Sequence, residues 1–191
     1  MELNKHFTAE ELNITDYPII EVGRRKAMSE EFRSKADFDI DPARLTDAIS
    51  RKGHVYAYLD KSKNVKAVYI TAKSGEDFSC EERLLSPSIE DADLVEKMDE
   101  QVRFLLAERA TYYSKGKSYF LGNALPVLKK KSEGINWGMA VVFAMLYSTC
   151  FWQPMKGAVA VPFGISMGIC MGLCFAKHTY YYEECSDKRE V

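Results

Sequence analysis

Charged side chains are missing from two stretches near the carboxyl end of the 191-residue sequence. No Asp, Glu, Lys or Arg occurs in 135–153 or in 157–176, whereas charged residues are frequent before residue 135. The average composition, 28% charged with a net charge of −2, hides this division. We therefore predict three parts, a domain at 1–134, a helical segment at 135–176 and a tail at 177–191.

The sequence also lacks a basic excess, an apolar amino-terminal run and a regular set of cysteines. A net charge of −2 leaves no basic footprint, so we expect no nucleic-acid partner. The first residues, Met1–Lys5, include an acid and no apolar run, which predicts no secretion signal. Five scattered cysteines predict no disulfide framework and favour a reducing compartment.

The two uncharged stretches predict a transmembrane helical hairpin. A helix that crosses about 30 Å of hydrocarbon needs about 20 mostly apolar residues, and the stretches supply 19 and 20. Trp137 and Trp152 bracket the first stretch, as is typical of interfacial aromatic rings. Lysines lie before the first stretch, at 129–131, and after the second, at Lys177, which predicts that both termini are cytoplasmic. The expected location is the cell inner membrane, with the lipid bilayer as a partner.

Small residues recur at every fourth position of the second stretch. Such ridges allow close approach of helix backbones in lipid, either within the hairpin or between copies of the chain. The pattern resembles the glycine-zipper membrane segments of small bacterial proteins, and this resemblance implies a packing mode and a homo-oligomer. The predicted helix-packing residues are Ala160, Gly164, Gly168, Gly172 and Ala176.

Mixed helix and strand signals before residue 135 predict an α+β domain. Together with the carboxyl-terminal segment, the predicted fold class is an α+β soluble domain followed by an α-helical transmembrane hairpin. An acidic segment that begins near residue 74 is predicted to start as a loop. The predicted elements are a helix over 16–33, a helix capped by Asp41 and ending at Gly53, strands over 54–59 and 65–71, an amphipathic helix from about Ile89 to Arg109, a strand over 118–121 and a helix over 125–131.

The fragment Leu45–Thr71, a helix that ends at Gly53 and is followed by a two-stranded hairpin, resembles part of the GNAT acetyltransferase superfamily. The resemblance implies an enzyme that uses acetyl-coenzyme A. That family binds the pyrophosphate through a Gln/Arg-x-x-Gly-x-Gly/Ala turn that opens a helix. The corresponding stretch here, Cys80–Leu94, contains no glycine. We therefore transfer no catalytic or cofactor-binding residue, and both sets stay unknown.

Two cysteines and a histidine follow one another at intervals of four residues near the end of the sequence. Cys170, Cys174 and His178 would lie on one face if the helix continued through all three. Thiolate and imidazole are ligands for soft metals such as Cu(I), but cysteine is also an ordinary apolar filler of packed helices. We predict no metal site and keep these three residues as the candidates.

These patterns favour a bacterial integral membrane protein that is not an enzyme and has no cofactor. Its hairpin would anchor a cytosolic domain for interaction or regulation, with a cytosolic protein as a further partner. The first alternative is a membrane-tethered GNAT-like acyltransferase that uses acetyl-coenzyme A. The second alternative is a soft-metal sensor or carrier.

Overall fold

The structure, a computed structural model, describes residues 5–114, 116–155 and 157–183. The chain folds into two compact units. The first contains residues 9–129 and short segments from both ends of the chain, and the second contains residues 6–8 and 130–181. The domain boundaries at 134 and 176 remain predictions.

The first unit contains a six-stranded sheet in the order β1-β2-β3-β4-β5-β6. All neighbouring strands with a described register are antiparallel except β4 and β5, which are parallel and are connected through α4. The elements are β1 (Ile19–Val22), α1 (Arg24–Ala27), α2 (Glu30–Ser34), α3 (Pro42–Ser50), β2 (Val55–Leu59), β3 (Val65–Ser74), β4 (Asp77–Leu85), α4 (Ala92–Arg109), a π-helical turn (Ala110–Ser114), β5 (Ser118–Phe120) and β6 (Asn123–Ala124).

The helix α3 and the hairpin that follows it confirm the predictions for this region. Asp41 caps the helix, its carboxylate accepting a hydrogen bond from the Ala43 N–H at 2.8 Å. After the helix, Gly53 passes so close to β3 that a Cβ there would lie 1.9 Å from the Thr71 carbonyl oxygen. Only glycine fits this position, so the end of α3 is determined by packing as well as by chain conformation.

Both faces of the sheet bury apolar side chains. The long helix α4, predicted from its spacing, packs Met98, Val102 and Leu106 against the face that carries Tyr58 and Tyr69. The opposite face is covered by the short helices α1 to α3. The residues buried between these helices and the sheet include Phe32, Leu45, Val55, Val68 and Ile70.

Three predicted elements of the first 134 residues are wrong. The helix predicted over 16–33 is strand β1 followed by two short helices, and the segment predicted to begin as a loop contains β4. A bulge in β4 interrupts the alternation of inward and outward residues, which removes the usual signal of a strand. The helix predicted over 125–131 is strand β7, Val127–Ser132.

Strand β7 pairs with β8, His178–Glu183, in a separate two-stranded sheet. Between them in the chain lie α5 (Trp137–Met155) and α6 (Gly157–Cys174), which pack against each other. Asn136 caps α5, since its side-chain oxygen accepts a hydrogen bond from the Met139 N–H at 3.2 Å.

The predicted fold class, an α+β domain followed by a transmembrane hairpin, is wrong. Among the residues described, none of the helices has both the length and the apolar character needed to cross a membrane. The helices α5 and α6 contain 19 and 18 residues, or about 29 and 27 Å at about 1.5 Å per residue. The predicted bilayer partner and inner-membrane location are overturned with the hairpin. Lys156 and the tail residues 184–191 lie outside the described part of the chain.

Apolar side chains of these helices, which suggested the membrane prediction, are in part exposed in the structure. Examples are Val142 and Met145 on α5, and Ile165 and Leu173 on α6. The sequence therefore predicted two apolar helices correctly, whereas the membrane environment that we assigned to them is wrong.

Candidate functional site

The carboxyl-terminal half of β4 has a strand partner on one side only. β5 pairs with β4 over Phe78–Cys80 and no further, whereas β3 accompanies β4 as far as Leu85. The Ser86 N–H donates to the Lys66 carbonyl of β3 at 2.8 Å. Because main-chain groups alternate in direction along a strand, the N–H and C=O groups of Arg83 and Leu85 point away from β3.

The main-chain groups of Arg83 and Leu85 face the side on which β5 has already ended. In the described register, β5 contains no residue opposite either of them. An open strand edge presents hydrogen-bonding groups that can pair with the amides of a ligand. In sheets with parallel strands, ligands bind beyond the carboxyl ends of those strands. This edge, residues 83–85 of β4, is therefore the candidate binding edge.

A β-bulge lies immediately before the candidate binding edge. Ile70 is opposite Glu82 and Thr71 is opposite Cys80, so Glu81 is the extra residue on β4. Bulges change the direction of side chains and are frequent next to active sites. Here the bulge allows two successive glutamates to reach Arg44 of α3 and Arg51, the residue that caps the carboxyl end of this helix.

The two glutamates form ion pairs with Arg44 of α3 and with its C-cap residue Arg51. Arg51 donates to the two carboxylate oxygens of Glu81 at 2.8 and 2.6 Å, and also to Asp47 at 2.6 Å. Arg44 donates to Glu82 at 2.7 Å. Hydrogen bonding to these carboxylates raises the pKa of each arginine. The pairs are exposed and screened by water, so their effect is mainly to orient the two glutamates.

A groove runs between α3 and β4 beside these ion pairs. It consists of two adjoining volumes of about 410 and 310 Å³. Arg44, Ile70 and Glu82 line both volumes, with Ile70 as an apolar floor. The remaining lining residues are mostly charged and of both signs. A groove of this kind suits a small polar molecule better than an apolar one.

On the other face of β4, a buried carboxylate connects the strand to α4. Asp99 is only 6% exposed; it accepts hydrogen bonds from the Tyr69 hydroxyl at 2.7 Å and from Arg83 at 2.5 Å. The Tyr58 hydroxyl donates to the Met98 carbonyl at 3.0 Å. Burial, together with the Asp99 carboxylate, raises the pKa of Tyr69. This network holds the Arg83 side chain and thereby the strand that forms the candidate binding edge.

The loop between β4 and α4 is hydrogen-bonded to itself. The Ser86 hydroxyl donates to Asp37 at 2.7 Å and accepts from the Ser88 N–H at 3.2 Å. The Ile89 N–H donates to the Ser86 carbonyl at 3.0 Å. Hydrogen bonding by Ser86 lowers the pKa of the Asp37 carboxyl. The loop therefore uses its own acceptors for several of its N–H groups.

Asp91 occupies the amino-terminal end of α4. Its carboxylate accepts hydrogen bonds from the N–H groups of Asp93 and Leu94 at 3.0 and 3.4 Å. Glu90 and Asp93 add two more carboxylates to the same turn of chain. A pyrophosphate needs free N–H groups and positive potential at a helix start. This segment therefore does not fit the pyrophosphate of coenzyme A.

His54 belongs to a different cluster, at the carboxyl end of α4. Its Nδ1 lies 2.5 Å from Glu21, and Arg109 approaches both His54 Nε2 at 3.1 Å and Glu21 at 2.6 Å. Arginine can only donate, so Nε2 accepts and Nδ1 carries the proton. Both ring nitrogens are engaged, which leaves neither of them free to activate a nucleophile.

The structure separates the three candidate metal ligands. Cys170 and Cys174 lie on α6, but the helix ends at Cys174 and His178 begins β8. The three residues therefore do not lie on one face of a single helix, as the candidate site required. Within the described residues, no group of three or more His, Cys, Asp or Glu side chains is arranged to hold a metal ion.

The three glycines among the predicted packing residues lie close to α5. A Cβ built on Gly164 would lie 2.0 Å from the Ser148 hydroxyl oxygen, and one on Gly168 would lie 2.4 Å from the Ala140 carbonyl oxygen. Ala160 and Ala176 are also buried. Assignment of the five residues to helix packing stays a prediction.

Comparison with known proteins returned no matching family model and no matching curated protein. Three solved structures are similar to this chain. One is the ribosomal-protein-S18-alanine N-acetyltransferase from Escherichia coli, with 10% identity and a TM-score of 0.39 over 68% of this chain and 76% of that one. Another is an IAA acetyltransferase from Bacillus cereus ATCC 14579, with 12% identity and a TM-score of 0.37 over 70% and 75%. The third is a GNAT family acetyltransferase from Elizabethkingia anophelis with acetyl-CoA bound, with 9% identity and a TM-score of 0.39 over 75% and 86%.

One of the three structures is a GNAT family acetyltransferase, the family that the fragment Leu45–Thr71 resembles, and none of the three is a glycine-zipper membrane protein. All three structures are acetyltransferases. Our prediction of a membrane-anchored interaction or regulatory protein is wrong, because no described helix is both long and apolar enough to cross a membrane, and its non-enzymatic part is not carried forward. Identities of 9–12% and TM-scores of 0.37–0.39 transfer no substrate and no residue role to this chain. The substrate class and the residue roles proposed for this chain rest on its own geometry.

Proposed function

We propose that the first unit is an acyltransferase that binds an acyl thioester donor along the candidate binding edge. The observation that carries the proposal is the early end of β5, which leaves the main-chain groups of Arg83 and Leu85 directed away from β3. A donor with amide groups in its arm can pair with this edge as an added strand would. Its position is then set by main-chain geometry and does not require a particular side chain.

The groove beside α3 is our candidate for the acceptor. Acyl transfer to an amine forms a C–N bond at the thioester carbonyl and breaks the C–S bond. The amine loses a proton to a base, and the departing thiolate takes one up. Glu82 lines both parts of the groove and its side chain is only 25% exposed. We therefore assign Glu82 as the group that accepts the proton, with Arg44 as its positioning partner.

Binding along the edge can be tested in the full chain with a pair of variants at one residue. Leu85→Pro and Leu85→Ala both remove the leucine side chain, which packs beside the buried cluster. Only Leu85→Pro also removes the N–H that points away from β3, and no hydrogen bond of the β3–β4 ladder is lost. A lost hydrogen bond of about 1 kcal/mol should weaken thioester binding about fivefold in Leu85→Pro relative to Leu85→Ala.

The measurements are the dissociation constants of S-acetyl-pantetheine by titration calorimetry and thiol release on addition of a primary amine. The circular dichroism spectra of both variants should match the parent, which controls for folding. Equal affinities in the two variants would contradict binding along the edge. If the parent chain neither binds an acyl thioester nor releases thiol, the proposed function is refuted.

A further inference from the structure

The segment that follows the candidate binding edge indicates which part of a thioester donor this chain can recognise. A ligand that lies along β4 and extends beyond Leu85 reaches the loop 86–91 and the start of α4. Whether this segment can bind a diphosphate depends on its N–H groups, on its charge and on the groove beside it.

Most N–H groups of residues 86–94 are already used. Five of them donate within the first unit. Ser86 donates to Lys66, Ser88 and Ile89 donate back to Ser86, and the remaining two donate to the cap residue Asp91. Pro87 has no N–H group. A phosphate that bound the N–H groups at this helix start would have to displace the Asp91 carboxylate. That carboxylate belongs to the same chain and therefore does not diffuse away.

The charge of the segment is also unfavourable for a phosphate. Glu90, Asp91 and Asp93 are all exposed within four residues at the start of α4. A groove of about 580 Å³ beside them is lined by these three carboxylates and Asp16, with Lys97 as the lysine of the set. A phosphate would be repelled by these carboxylates because both carry negative charge. Exposure to water weakens the repulsion but does not reverse it.

On the basis of the proposed function, we infer that the donor is recognised through its acyl-pantetheine arm. We also infer that a nucleotide diphosphate contributes nothing to the binding of the donor. The substrate class is therefore an amide-bearing acyl thioester, whatever lies beyond the arm. The cap, the internally bonded loop and the carboxylates together account for the absence of glycine from Cys80–Leu94, because no close approach of a phosphate to the backbone is required.

The test compares S-acetyl-pantetheine with acetyl-coenzyme A in titrations of the full chain at low and physiological salt. We expect dissociation constants within about threefold of each other. Acetyl-coenzyme A binding at least tenfold more tightly would overturn the inference and leave the proposed function intact. Failure of both thioesters to bind would instead refute the proposed function, and the inference with it.

A double variant tests the role of the carboxylates. Asp91→Ser keeps a capping oxygen and Asp93→Asn keeps the shape, so the pair removes two charges with little change to the helix. The variant should bind acetyl-coenzyme A about tenfold more tightly than the parent, with unchanged affinity for S-acetyl-pantetheine. Glu10→Gln/Glu76→Gln, at two exposed positions elsewhere in the first unit, removes the same charge and should change neither affinity. An unchanged acetyl-coenzyme A affinity in Asp91→Ser/Asp93→Asn would contradict the role given to these carboxylates.

Discussion

Removal of the Asp99 carboxylate tests whether α4 holds the edge of β4 in place. Asp99→Ala leaves two partners unpaired: the Tyr69 hydroxyl, which is buried, and the Arg83 guanidinium, whose side chain is 31% exposed. A buried hydroxyl without a partner costs about 1–3 kcal/mol. Loss of one member of a buried ion pair costs about 3–5 kcal/mol when the other is fully buried. Because Arg83 retains contact with water, we expect a total of about 3 kcal/mol.

Denaturant unfolding of the full chain, followed by circular dichroism, measures this effect. Tyr69→Phe removes one hydrogen bond together with its donor and should cost only about 1–1.5 kcal/mol. In Asp99→Ala/Tyr69→Phe the hydroxyl penalty is absent, so the double variant should be more stable than the sum of the single effects by at least 1 kcal/mol. Asp47→Ala removes an exposed carboxylate that is paired with Arg51 and should cost about 0.5 kcal/mol or less.

Additive effects of Asp99→Ala and Tyr69→Phe, within about 0.5 kcal/mol, would refute the proposed coupling. A loss for Asp99→Ala no larger than that for Asp47→Ala would show that the carboxylate does not hold Arg83. In the second case, α4 would not position the candidate binding edge, whereas the pairing of β3 with β4 would be unaffected.

Two further predictions concern other parts of the chain. Burial raises the pKa of Tyr56 and of Cys80 to about 12, from 10.0 and 9.0. Both groups ionise at lower pH in the unfolded chain, so their contribution to stability should be constant from pH 7 to about 9 and fall as the pH rises from 9 towards 12, by up to about 1.4 kcal/mol per pH unit for each group. Urea unfolding at intervals from pH 7 to 11 checks this, and a flat or rising profile above pH 9 would contradict it. In the second unit, Gly168→Ala places a Cβ 2.4 Å from the Ala140 carbonyl oxygen and should destabilise the packing of α5 on α6 by about 1–3 kcal/mol. Gly138→Ala, whose Cβ would meet nothing nearer than 3.5 Å, should be neutral or stabilising; equal hydrogen-exchange protection of the helices in the two variants would remove Gly168 from the packing contact.

Elements that depend on nearby residues were predictable from the sequence. The Asp41-Pro42 start of α3, the hairpin of β2 and β3 and the apolar face of α4 each arise from interactions a few residues apart. In the hairpin turn, Asp60 accepts hydrogen bonds from the Ser62 and Asn64 N–H groups, a contact within five residues. Such signals are present in any short window of the sequence.

The candidate site was not predictable in the same way. The bulge at Glu81 changes which side chains of β4 face α4, so the strand shows no regular alternation. Arg83 meets Asp99 and Arg51 meets Glu81 across 16 and 30 residues of chain. The early end of β5 is visible only once β4 and β5 are placed side by side. The absence of glycine from Cys80–Leu94 was readable from the sequence, but the hydrogen bonds by which Asp91 occupies the N–H groups of Asp93 and Leu94 were not.

The stretch 135–176 shows the same division between composition and environment. Its sequence determined that the residues are apolar and helical, because hydropathy and helix propensity are properties of the residues themselves. What surrounds a helix is a property of its neighbours, and the membrane that we inferred from composition was wrong. The sequence by itself therefore determined the Asp41 cap, the hairpin of β2 and β3 and the helical periods of this protein. Only the tertiary structure decided the edge of β4 and its ion pairs, because each depends on contacts between residues far apart in the chain.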